Sequence, residues 1–187
     1  MVPNTADDAP IYVSGLLSPV NLIYATADWL YSGKLEQFPN LKICLSEGGI
    51  GWMPYIMERA EYVLDHMRWA RRYDPFAYGQ APRDDTGPVS NPRQLFQQHI
   101  YGCFIDDRFG VRNLDAIGVD KVMMETDYPH GDGTFPHSLA NAEELLKDLD
   151  DEVRYKIMQG NARRVFGLPE PLASAGAPHE GSASWAS

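Results

Sequence analysis

Hydrophobic positions form three short, nearly unbroken runs along the chain, separated by longer stretches in which they return every three or four residues. The runs are "LKICLS" at 41–46, "YGCFI" at 101–105 and "KVMMET" at 121–126. Their length and residue types predict strands. The helical period is clearest from Trp52 onward in "WMPYIMERAEYVLDHMRWA", where Ile56, Ala60, Val63, Leu64 and Met67 share one side. Glu58, Arg59, Glu61 and Arg68 supply the wet side, and Pro54 falls in the first turn, where its missing N–H costs nothing.

The remaining segments follow local signals. Residues 19–31 predict a helix with Leu22, Ala25, Trp29 and Leu30 toward one side, closed by Gly33. The first 17 residues, with Pro3, Pro10 and Gly15, predict an irregular lead-in. Asn91 before Pro92 starts a short helix to about His99, and "NLDAIG" is another, ended by Gly118. Residues 139–149 predict a helix capped by Ser138, and Asp150 or Asp151 caps the next, running to Gln159. "NARRVF" adds a last turn before Gly167. The stretch 74–90 is a loop long enough to cover something or to belong to an interface. The expected domain is 1–168, and residues 169–187, built of Ala, Ser, Gly, Pro and His, are expected to be a disordered tail.

Strands alternating with helices are the signature of a parallel α/β sheet. Three parallel strands leave both edges unpaired and need cover on both faces. The expected architecture is therefore the C-terminal portion of a larger (β/α) fold, either a gene fragment or a chain completed by another copy.

Composition narrows the partners. At 187 residues, with 44% apolar and 11% aromatic positions, the chain has material for one sizeable core. Its net charge of −10 offers no basic stripe for a nucleic-acid backbone. No run approaches a bilayer span, so neither nucleic acid nor membrane is an expected partner. "MVPNTADDAP" has no basic, apolar leader pattern, which makes a cytoplasmic location the expectation. Cys44 and Cys103 each lie in an apolar run and read as buried thiols.

In parallel α/β folds, ligands collect at the carboxyl ends of the strands. Glu47 follows the first strand and Asp106 and Asp107 the second; the third runs into Glu125, Asp127 and His130. Asp127 at the end of a rigid strand suits a metal ligand or a proton-transfer base, or else a helix cap or a partner for Arg108. His130 could orient Asp127, transfer a proton, bind substrate or merely complete the loop. Glu47, before "GGIGW", is a metal ligand, an acid or base, or a helix cap. Trp52 lines a pocket or is core. "GGIG" is no phosphate fingerprint, and there is no Gly-x-Ser-x-Gly.

"FPNLKICLSEGGIGWMPYIMERAEYVLDH" and "GVDKVMMETDYPHGDGTFPHS" together closely resemble the C-terminal part of the amidohydrolase-related, aminocarboxymuconate-semialdehyde-decarboxylase-like family. The resemblance spans about residues 10–168 and includes "GNARRVFG". It implies a (β/α)8 TIM barrel of the metal-dependent hydrolase type, with these strands as its sixth to eighth. It further implies a hydrolase or decarboxylase of small carboxylic acids, with a divalent metal, zinc first and manganese or iron as alternatives. Asp127 matches the aspartate that binds the metal or its water, and His130 the histidine of the DYPH-like loop. Glu47, a metal ligand or acid–base group, stands where decarboxylase members commonly place a histidine. Trp52 and Phe135 are implied as apolar walls for a small-molecule substrate. The family's His-x-His or Glu-x-His pair and the histidine after the fifth strand have no counterpart. The expected partner is therefore a second copy or the missing N-terminal half of the barrel, and the isolated chain is expected to be incomplete. The alternative reading is a catalytically inactive fragment or a non-catalytic binding or scaffold protein, in which the strand-end carboxylates serve solubility and packing.

Overall fold

The computed structural model describes residues 6–73 and 90–169. The lead-in before residue 6, most of the 74–90 loop, nearly all of the expected tail and the side chains of residues 67–73, Met67 and Arg68 among them, lie outside the described set.

Each apolar run forms a strand: β1 (Ile43–Leu45) and β3 (Val122–Met124) are trimmed at both ends, and β2 (Ile100–Phe104) is shifted one residue earlier than its run. They are parallel, in the order β1-β2-β3, with Cys44 opposite Tyr101 and Cys103 opposite Met123. Alternation along the strands sorts the side chains into two clusters. Leu45, Ile100, Phe104 and Val122 join the main core under the helices. Tyr101, Cys103 and Met123 form a second cluster with Cys44, Ala162 and Val165.

The chain begins its first helix earlier than the sequence suggests. α1 is Ile11–Tyr31, with Pro10 at the N-cap and Pro19 inside. Pro19 leaves the Gly15 carbonyl without an N–H, and the Ser18 hydroxyl donates to that oxygen at 3.0 Å. The expected irregular segment up to residue 17 is therefore helical from Ile11. After α2 (Lys34–Gln37) and β1, the long helix α3 (Met53–Tyr73) buries Met53, Met57 and Ala60. α4 (Pro92–His99) is capped as expected, with Asn91 accepting the Gln94 N–H.

α5 (Arg108–Val111) had no sequence signal beyond its cap, and α6 (Leu114–Ile117) ends at Gly118 as expected. A 3-10 turn, Val119–Lys121, leads into β3. α7 (Ser138–Leu145) corrects the expected cap: His137 holds the N-cap position with no side-chain bond, and Ser138 is already helical. The turn that joins the His137 N–H to the Thr134 carbonyl starts the helix one residue early. α8 (Asp151–Tyr155) follows Asp150, whose side chain makes no cap bond; a π-helical turn at Lys156–Gly160 then leads into α9 (Asn161–Phe166). Asn161 is fully buried and donates to the carbonyls of Val119 and Val122 at 2.8 and 2.7 Å, fastening α9 to the entry of β3.

Gly102 lets α3 approach the middle strand. A Cβ there would lie 2.5 Å from the Met53 sulfur and 2.7 Å from the Ile50 Cγ2. Gly102→Ala should lower the unfolding free energy by about 1–3 kcal/mol, read as a lower urea midpoint at unchanged slope. Burial, aided by the charges of Glu125 and Cys44, pushes the Cys103 thiol from its ordinary 9.0 up to about 12. The folded chain therefore favours the neutral thiol. That contribution to stability is intact below about pH 9 and is lost as pH rises toward 12. Thiol titration of the native chain at pH 8 should leave Cys103 unmodified, and Cys103→Ala should flatten the alkaline fall in stability.

Candidate metal centre

Three loops at the carboxyl ends of the strands build the site. The loop after β1 is held by a residue of the loop after β2. Asp107 Oδ2 accepts the N–H groups of Ile50 and Gly51, both at 2.7 Å, while Oδ1 accepts the Gly110 N–H at 2.7 Å and caps α5. Gly49 turns with φ 62°, and a Cβ there would meet Asp107 Oδ2 at 3.0 Å. The Trp52 indole donates to the Gly48 carbonyl at 2.8 Å, closing the same turn.

Glu47 and Asp127 are the only described non-glycine residues with positive φ, at 60° and 53°. Glutamate avoids this conformation and needs outside bonds to hold it, whereas aspartate visits it more readily when its short side chain bonds locally. The Glu47 N–H donates to Glu125 Oε1 at 2.5 Å. The Asp127 carbonyl accepts the His130 N–H at 2.8 Å, and Asp127 Oδ1 pairs with His130 Nδ1 at 2.9 Å. Glu47 Oε1 lies 4.0 Å from the same ring nitrogen. One donor atom from each of Glu47, Asp127 and His130 falls within 4.8 Å of the others. The peptide bonds before Pro129 and Pro136 are cis.

The electrostatics are those of crowded carboxylates. The hydrogen bond and charge of Asp127 raise the His130 pKa. Burial raises that of Glu125, with the charges of Glu47 and Asp127 adding to the effect, while the bond from the Glu47 amide opposes it. The Asp127 side chain is only 8% exposed, yet its Oδ2 has no hydrogen-bond partner among the described residues. A buried, unpartnered anionic oxygen is costly, and a cation is the partner that best relieves it. Two carboxylates beside an imidazole fit a divalent ion, with the carboxylates as the ligands and the ring held next to them through Nδ1 by Asp127 Oδ1.

The structure thus brings together Glu47, Asp127 and His130, and adds Glu125 behind them. It separates the other carboxylates that sequence placed on this rim. Asp107 is spent on three amides, and Asp106 faces Arg108 at 4.0 Å. Asp127 makes no pair with Arg108. Trp52 packs against the main core with its indole bonded to the turn. Phe135 is exposed beside Tyr128, their ring centroids 4.9 Å apart. Asp107 was legible only as a strand-end carboxylate; its spacing three residues before Gly110 is the cap signal that betrays its role.

Residues 7–168 match the amidohydrolase family, and the chain belongs to it. It is 26% identical over 152 residues to a 2-amino-3-carboxymuconate-6-semialdehyde decarboxylase of Dictyostelium discoideum, covering 80% of this chain and 38% of that protein. Among solved structures, an amidohydrolase from Mycobacterium avium subsp. paratuberculosis superposes with a TM-score of 0.59 at 20% identity, over 87% of this chain and 37% of that one. A dihydroxybenzoic acid decarboxylase from Polaromonas, crystallised with manganese and 2-nitroresorcinol, gives 0.56 at 22% identity, over 86% and 42%. These structures are barrels, so the three strands and their helices correspond to part of a (β/α)8 fold. The chain spans about two fifths of the length of the relatives it matches.

Asp107→Ala strands three amide donors and should lower the unfolding free energy by about 3 kcal/mol. Asp107→Asn keeps one acceptor oxygen and should cost less in the same denaturant titration.

Proposed function

We propose that these strand ends form part of the reaction centre of a metal-dependent hydrolase or carboxy-lyase acting on a small carboxylic-acid or carbonyl substrate. The observation that carries this reading is the grouping of one donor atom each from Glu47, Asp127 and His130 within 4.8 Å of one another, together with an Asp127 side chain whose buried Oδ2 has no partner among the described residues. Zinc suits this donor set, and manganese and iron suit it as well. When a divalent ion is bound, the chemistry supplied is Lewis acidity toward a substrate carboxylate or carbonyl oxygen.

The chain's own residues do the rest. Asp127 Oδ2 and Glu47 supply anionic oxygens. Asp127 Oδ1 holds His130 by Nδ1, which orients the ring and leaves Nε2 to give or take a proton at the substrate. Trp52 and Phe135 supply apolar walls. Of the two reactions, the likeness to a decarboxylase favours the carboxy-lyase. There the carbon–carboxylate bond breaks, its electron pair passes to the ring or alkene carbon, and His130 protonates that carbon.

Because the chain spans about two fifths of its relatives, the activity is proposed for a completed barrel. A second copy or an N-terminal half would lie along the edges of β1 and β3, which carry no other strand among the described residues. Two free thiols agree with a cytoplasmic setting.

Metal titration of the purified chain tests the centre. The expected result is one manganese or zinc ion per chain, with Asp127→Asn weakening binding by at least about tenfold. Equal binding by the chain and its Asp127→Asn variant, or none by either, would remove the reading. For the completed barrel, carbon dioxide released from an unsaturated or aromatic acid marks the carboxy-lyase, and a new carboxylic acid from an ester, lactone or amide marks the hydrolase.

A further inference from the structure

We propose that Glu125 is the positioning residue of this centre, holding Glu47 in the backbone conformation that aims its carboxylate at Asp127 and His130. The inference rests on the metal reading above and deepens it. Glu125 is the first residue beyond β3, and its own N–H still bonds the Phe104 carbonyl at 3.0 Å, so it is anchored as a continuation of the sheet. Its side chain falls on the face of Cys103 and Met123, two residues along from Met123. From there its carboxylate reaches over the middle strand to the loop after β1, where Oε1 accepts the Glu47 N–H at 2.5 Å.

This is the bond that bears on the φ of 60° at Glu47, a conformation L residues avoid. Without it, Glu47 returns to an ordinary φ, and its carboxylate swings away from the His130 ring that it now faces at 4.0 Å. Glu125 is not itself one of the three grouped donors. Its part is to set where one of them points, and a charged or a neutral acceptor oxygen serves that purpose. The independent observation is that the Asp127 side chain, 8% exposed, keeps an oxygen, Oδ2, with no partner among the described residues, which a bound cation at this carboxylate would satisfy.

Manganese titration tests this on the unchanged chain, Glu125→Ala, Glu125→Gln, Glu47→Ala and the double variant with Ala at both positions, each checked for folding by circular dichroism. Glu125→Ala should weaken binding by about tenfold to a hundredfold, and Glu125→Gln, which keeps an acceptor oxygen, should recover most of that loss. In the Glu47→Ala background, Glu125→Ala should add nothing, because the group it aims is gone. The metal-free Glu47 amide proton should resonate downfield in the unchanged chain and move upfield in the Glu125 variants. Undiminished binding by a folded Glu125→Ala chain overturns the proposal, as does an equal loss in both backgrounds. Should Glu125→Ala fail to fold, a Glu47 amide proton unmoved in Glu125→Gln overturns it. A chain that binds no manganese at all removes the metal reading, and this role with it; binding that ignores Glu125 removes this role alone.

Discussion

The carboxylate of Asp107 is the constraint on which the upper rim of the sheet depends. By gathering the amides of Ile50, Gly51 and Gly110, it welds the turn after β1 to the turn after β2. Each of those N–H groups would otherwise lie in a partly buried turn with no ladder to join. Ile50, carried by the same turn, is fully buried against the sheet and fills the space left by Gly102 and Gly110. Polar satisfaction and apolar packing are thus met by one residue pair, and the position of Glu47 follows from both.

On that rigid base the centre holds two residues in an unfavourable backbone region. Strain of this kind persists only where surrounding bonds over-determine it, and it gathers at sites with a task. Glu47 is held through Glu125, and Asp127 through the loop that closes on His130. The result is two carboxylates brought toward one imidazole, an arrangement that repulsion opposes until a cation or protons occupy it.

Much of this was legible in the residues. The three apolar runs became the three parallel strands, because short runs rich in sheet-packing residues have few other stable uses. Asn91 before Pro92 announced α4, and Gly118 and Gly167 ended helices where expected. Glu47, Asp127 and His130 were legible as strand-end chemistry because a parallel sheet delivers whatever follows each strand to the same rim. What escaped was what depends on a third element. Pro10 and Gly15 read as part of an irregular lead-in and Pro19 as a helix start, yet the helix runs from Ile11, with the Ser18 hydroxyl satisfying the Gly15 carbonyl that Pro19 leaves without an N–H. Asp107 looks like a further member of an acidic rim until its amide partners, 56 and 57 residues away, come into view. The bond from Glu47 to Glu125 spans 78 residues, and no local pattern encodes it.

Asn161 carries a consequence for how the chain is made. The carbonyls of Val119 and Val122 face its buried amide across 42 and 39 residues of sequence. During translation, β3 leaves the ribosome long before the residue that satisfies its entry. Until then those oxygens are left to solvent, so the entry of β3, the strand that leads to Asp127, lacks its buried partner until the helix of Asn161 has emerged. The order of synthesis therefore makes this corner of the sheet a late feature of the nascent chain.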